Sequence, residues 1–258
     1  MAYQRCEQTF QQPSIEKFPM AHTVVKCAEK VIFHNHWSAE QLEHGNIGII
    51  PHPCFDKEEM SEQTRTKLIE RLKEKYNLEN EIVIGCFGWV NENKRPQVTI
   101  QAVRELRDKG YQIKLIFWGK SDSRVPNLIN ELNMQNYIHV SGYLEKEEYE
   151  AALEITDIVV NLRYPSMGES SGTLCEAFKY GKPVIVSQLN QYSEYPDEVC
   201  WKVPICRQEK EVLAKYLEYL IENPDVRKCL GNNALNYAEN VLNPKQIARM
   251  YYNFLSEK

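Results

Sequence analysis

Short β-branched runs alternate with amphipathic stretches along most of the chain, and this alternation predicts strands and helices in turn. The predicted strands span 31–34, 47–50, 82–87, 113–118, 137–140, 158–161, 183–187 and 199–203. Several are unbroken apolar runs, as parallel strands covered on both faces require. Helical spacing recurs between them at 62–76, 96–109, 125–132, 146–153 and 172–180. From Gln208 to the end the pattern is helical, with breaks at Pro224 and near Pro244. The predicted fold class is therefore α/β, a Rossmann-like doubly wound parallel sheet. The string ARMYYNFL in the last helix carries aromatics at helical spacing and reads as a core-facing stripe.

A boundary is expected near IPHPCFDKEEMSEQ, where Pro51 and Pro53 forbid a central strand and a charged run follows. Residues 1–55 have room for about two βα units, too few for an independent core. They read as the remnant of a second Rossmann-like domain together with a hinge. Residues 56–258 suffice for a complete domain, whose last helices pack back on the first part.

Composition narrows the function. A net charge of −5 excludes a general nucleic-acid binder, while leaving room for a local basic site that holds a phosphate. None of the eight cysteines forms a C-x-x-C pair, so they read as small, reduced thiols of a cytoplasmic protein. No zinc site is expected at His34, His36 and His52, because no carboxylate or cysteine has ligand spacing with them. His34 or His36 lining a cleft between the two parts is the other reading. The N-terminus lacks a signal-peptide core, and no run approaches the roughly 20 apolar residues of a membrane span. A soluble protein is expected, one compatible with peripheral attachment at the inner face of a membrane.

Two segments carry chemistry. In IVIGCFGWVNENKRPQVTIQAV an apolar strand ends at Gly88, and Lys94 and Arg95 open a helix. That is the edge of an α/β sheet where ligands bind, and a glycine there admits a ligand close to the backbone. The bland reading is a solvated Lys-Arg pair. Against it, cations are unfavourable at a helix N-terminus unless an anion is bound. In LRYPSMGESSGTLCEAFKYGKPVIVS, residues Gly168–Gly172 form a loop before a helix. Ser171 is a good cap, the helix N-terminus offers N–H donors, and Glu176 lies two turns beyond Glu169. Taken singly, Glu169, Ser170 and Glu176 also fit ordinary caps and a solvated face. Arg163 and Tyr164, just before the loop, read equally as packing residues or as donor or acceptor contacts.

Together these segments resemble the C-terminal domain of family-four (group 1) GT-B glycosyltransferases. EAFKYGKPVIVS is similar to that family's glutamate–alanine helix, Gly-x-Pro turn and strand, and FGWVNENKRP to its phosphate loop. IKLIFWGK and IHVSGYLEKEEYEAAL look like its second strand and its base-contacting loop. VVKCAEKVIFHNHWSAEQL and IGIIPHP look like the end of its acceptor-side domain and its hinge. The resemblance is good over residues 80–190 and looser beyond.

It implies transfer of a sugar from a nucleotide diphosphate sugar, a co-substrate, to a hydroxyl on a glycan or lipid-linked acceptor. It further implies retention at the anomeric carbon, no metal and no other cofactor. Lys94, aided by Arg95, would contact the diphosphate beside Gly88, with Ser171, Gly172 and Thr173 offering backbone donors. Gly142 and Tyr143 would lie near the base, Glu176 would hold the ribose, and Glu169 would face the transferred sugar.

Two departures stand out: six rather than seven residues separate Glu169 from Glu176, and Trp89 replaces the arginine usual after the loop glycine. Two other readings stay open: a catalytically incompetent nucleotide-sugar- or protein-binding module lacking its acceptor domain, and a non-transferring GT-B sugar-nucleotide epimerase; a separate acceptor domain is a further expected partner.

Overall fold

The computed structural model describes residues 20–42, 44–57, 60–166 and 168–257. Residues before Met20 lie outside these, as does Met167 in the second of the two segments.

The core is a six-stranded sheet made of β3 (Ile82–Phe87), β4 (Ile113–Trp118), β5 (Ile138–Val140), β6 (Ile158–Asn161), β7 (Val184–Ser187) and β8 (Trp201–Val203). Every pairing is parallel, in the order β5-β4-β3-β6-β7-β8. Successive side chains on each strand enter opposite cores. Ile84, Leu115, Ile158 and Ile185 point to one face, Val83, Ile116, Val159 and Val184 to the other. The first face is covered by α4 (Pro96–Asp108), α5 (Arg124–Glu131) and α8 (Glu209–Glu222). The second is covered by α3 (Glu62–Tyr76), α6 (Lys146–Ile155), α7 (Gly172–Lys179) and α9 (Pro224–Asn240). The doubly wound sheet expected from the apolar runs is what forms.

Helix boundaries follow local chemistry. Ser61 caps α3 by accepting from the Thr64 N–H at 3.2 Å, and Asn77 ends it in the left-handed region. Pro224 and Pro244 are not interruptions within a helix: each is the first residue of one, α9 and α10 (Pro244–Ser256). A missing N–H costs nothing at that position.

The first part contains α1 (Met20–Cys27), β1 (Val31–Phe33), the short α2 (His36–Ala39) and β2 (Ile47–Ile49), with β1 and β2 paired in parallel. The last helix touches this part. The Phe254 ring fills the space a Cβ on Gly48 would need, at 3.0 Å, and Lys30 Nζ donates to the Phe254 carbonyl at 2.6 Å. The aromatic stripe of α10 is nonetheless only partly inward. Ile247 is buried, whereas Tyr252 stays 72% exposed, because the narrow two-stranded sheet cannot cover the whole helix face.

One close approach depends on a glycine that the sequence leaves inconspicuous. A Cβ on Gly231, inside α9, would lie 2.2 Å from the Gly181 carbonyl oxygen. Both atoms belong to backbone, so neither side yields cheaply. Gly231→Ala is expected to cost about 2 kcal/mol and lower the melting midpoint by about 5 °C. A thermal melt at unchanged midpoint would show that α9 slides freely.

Candidate functional site

The order β5-β4-β3-β6-β7-β8 reverses direction between β3 and β6, and the crevice beyond the carboxyl ends of those strands is the ligand position in such sheets. Three loops meet there. Gly88 follows β3 with φ +81°, and its N–H donates to the Trp118 carbonyl at 3.0 Å. A Cβ on Gly119, after β4, would sit 2.4 Å from the Gly88 carbonyl oxygen, so only glycine fits. A Cβ on Gly88 would lie 2.9 Å from Lys94 Nζ and 3.5 Å from Thr173 Cγ2. Two segments some eighty residues apart therefore line one crevice.

Lys94 ends a 3-10 turn, Glu92–Lys94, and donates to the Phe87 carbonyl. Burial, then the Arg163 charge, lower its pKa to about 8. Arg95, the next residue, goes elsewhere. Its backbone is left-handed, at φ 54°, and its guanidinium pairs with Glu209 of α8, whose side chain is only 3% exposed. The Tyr164 ring lies against it, 5.7 Å from centroid to guanidinium carbon. Adjacent cations in sequence are thus split between the crevice and the fold.

Across the crevice, Ser171 caps α7 by accepting from the Leu174 N–H at 3.3 Å. Asn161 ends β6 and donates to Ser171 Oγ at 3.2 Å, which fixes the start of the helix. Gly172 and Thr173 stand in the first turn, where N–H groups lack intrahelical partners. Glu169 stands on the loop, where Ser166 Oγ donates to it at 2.8 Å and Arg163 Nη1 lies 3.4 Å away. The loop is held from the first part. Asn35 Nδ2 and Ser38 Oγ both donate to the Gly168 carbonyl, at 2.9 and 3.0 Å, and the Trp37 ring leaves no space for a Cβ there.

Glu176, one turn into α7, accepts from the Tyr149 hydroxyl at 2.5 Å. The side chain is exposed, yet the protein around it partly desolvates the carboxylate, and this, reinforced by Glu150, raises its pKa above the usual carboxylate value, although the Tyr149 hydrogen bond opposes this. The sign for stability follows. A raised carboxyl pKa means the folded chain holds its proton longer, so stability falls as pH rises from about the unfolded value through the folded one. Glu176→Gln is therefore expected to raise the melting midpoint slightly at pH 7 and to leave it unchanged below pH 4. An equal midpoint at pH 7 would show that the carboxylate carries no burial cost. Tyr149 escaped the sequence reading, since a tyrosine in an acidic helix has no distinguishing spacing.

Gly142, at φ +78°, has open space around it, and Tyr143 beside it is 67% exposed. Trp89 is 65% exposed. His34 and His36 line a cavity of about 470 Å³ between the two parts, with Pro51, Ser170, Gln191 and Glu194. The His34 and His52 rings are 5.6 Å apart, edge to face. Among the described residues no group of three His, Cys, Asp or Glu side chains could hold a metal, and no helix is long and apolar enough to cross a membrane. The seven described cysteines are free, with Cys200 buried and Cys206 exposed.

Residues 68–237 match the family model "Glycosyl transferases group 1". Among curated relatives, an alpha-D-kanosaminyltransferase of Streptomyces kanamyceticus is 20% identical over 166 residues, 63% of this chain and 42% of its own length. Among solved structures, Anabaena HepE in complex with UDP superposes with a TM-score of 0.74 at 16% identity, covering 90% of this chain and 65% of that one. The C-terminal domain of LpcC, a group 1 glycosyl transferase of Francisella tularensis, superposes at 0.58 and 18% identity, covering 74% of this chain and 97% of that domain. The chain thus spans under half the length of the curated relatives it matches. With the family model matched across the sheet and both crevice loops, the chain belongs to the group 1 glycosyl transferases.

Proposed function

We propose that the chain binds a nucleotide diphosphate sugar in the β3/β6 crevice and transfers the sugar to a hydroxyl acceptor, with retention and without a metal. The observation that carries this reading is the meeting of Gly88, Lys94 and the α7 N-terminus around one space. A buried cation opposite open N–H donors suits a diphosphate. HepE, which shares the fold, has been solved with UDP and with UDP-glucose.

In this mechanism the bond between the anomeric carbon and the diphosphate oxygen breaks with oxocarbenium character. Negative charge grows on the departing phosphate, where Lys94 and the N–H groups of Gly172 and Thr173 stabilise it. The departing phosphate oxygen takes the acceptor's proton on the same face, so no protein base is needed. Glu176 grips the ribose, Gly142 and Tyr143 border the base, and Glu169 faces the transferred sugar. The acceptor is a glycan or a lipid-linked glycan, and the protein works in the cytoplasm, at the inner face of the membrane when the acceptor is lipid-linked.

A thermal-shift panel of nucleotide sugars tests the donor, since a ligand at a hundred times its Kd adds roughly 2.7 kcal/mol. Product analysis by NMR then reads the anomeric configuration. An inverted product overturns retention. Nucleotide binding without transfer to any hydroxyl acceptor turns the reading to a binding module, and a rearranged free sugar turns it to an epimerase.

A further inference from the structure

A second cation stands at the same strand reversal. Arg163 lies two residues beyond β6, and its N–H donates at 2.9 Å to Ser187 Oγ, a fully buried group at the end of β7. The sheet itself therefore fixes where this arginine starts. The next N–H, that of Tyr164, donates to the Asn93 carbonyl at 2.7 Å, which holds Arg163 beside the turn that carries Lys94.

The guanidinium is poorly satisfied. Its Nε is buried with no hydrogen-bond partner, and Nη1 reaches Glu169 only at 3.4 Å. The buried Tyr192 hydroxyl faces the same guanidinium and Ser171. A buried donor left unpaired is unfavourable, so the free protein holds this arrangement at a loss. Of the charges acting on Lys94, Arg163 is the one that lowers its pKa most. Two like charges thus converge from neighbouring strand ends, an arrangement that an anion between them would reverse.

We propose that Arg163, and not Arg95, is the partner of Lys94 in holding the donor's phosphates. Arg163 supplies the planar fork and Lys94 the point charge. Arg95 is unsuited to the task because Glu209 and the Tyr164 ring already engage it. The inference rests on the donor reading above and adds a residue to that site.

Calorimetric titration with UDP, and NMR titration with uridine as the phosphate-free control, test it. Arg163→Gln is expected to weaken UDP at least tenfold and uridine less than threefold, with the melting midpoint nearly unchanged. UDP affinity equal to the unsubstituted protein, or equal losses for UDP and uridine, would overturn it. If the unsubstituted protein binds none of UDP, GDP and ADP, the donor reading has failed, and this inference with it. Should Arg163→Gln not fold, phenylglyoxal labelling of the unsubstituted protein replaces it. UDP, but not uridine, is expected to protect Arg163, and labelling of Arg163 at the same rate with UDP present would overturn the proposal.

Discussion

Lys94→Ala is expected to lower donor-dependent transfer by about a hundredfold, roughly 2.7 kcal/mol, the usual effect of losing one preorganised donor to a developing oxyanion. The charge is half-buried and lies next to Gly88, so water replaces it poorly. The loss falls on kcat more than on KM, because the phosphate gains charge as the bond breaks. Stability moves the other way. The folded pKa, about 8, lies below the usual lysine value of 10.5, so the unfolded chain binds more protons between those pH values. Stability therefore rises with pH across that window, and at pH 7 the full burial cost of the charge is present. Lys94→Ala should thus melt no lower than the parent at pH 7. For the parent, kcat/KM should decline above about pH 8 as the free protein loses this proton. Steady-state kinetics on the donor found by thermal shift check both statements. A variant with parental turnover would remove Lys94 from the site.

Arg95→Ala is expected to act on the fold instead. It leaves the Glu209 carboxylate, 3% exposed, without its guanidinium. Breaking such a pair from one side costs about 3 kcal/mol, or a drop of about 10 °C in the melting midpoint. Removing both partners in Arg95→Ala/Glu209→Ala should recover part of the loss, since no buried charge is stranded. UDP affinity, measured below the new midpoint, should stay within about threefold of the parent. The opposite pattern, an unchanged midpoint with UDP binding abolished, would mean that the guanidinium leaves Glu209 for the phosphate.

These two neighbours show where the sequence stops. Lys94-Arg95 reads as one basic pair, and nothing local separates the two side chains. The left-handed backbone at Arg95 turns it toward a carboxylate 114 positions away, a partner no local spacing announces. Gly231 is similar: a glycine inside a helix looks like a minor flaw until the Gly181 carbonyl is found against it. Tyr149 was hidden for the same reason, and Arg163 was visible only as a residue that could pack or touch a ligand. What each faces, Glu176 in one case and the charge of Lys94 in the other, is set by the fold.

Strand positions, the parallel class and the loop–helix chemistry at Ser171 were legible because burial and capping imprint themselves on residues close together along the chain. The Pro224 and Pro244 boundaries were visible too, although as breaks and not as the helix starts they are. By itself the sequence determined a doubly wound sheet with glycines, a lysine and a capped helix N-terminus at its carboxyl edge. The tertiary structure alone decided which cation enters the crevice, which is held by the fold, and how the two loops meet. A charge's partner depends on distance in space, and periodicity along the chain encodes only which side of an element is buried.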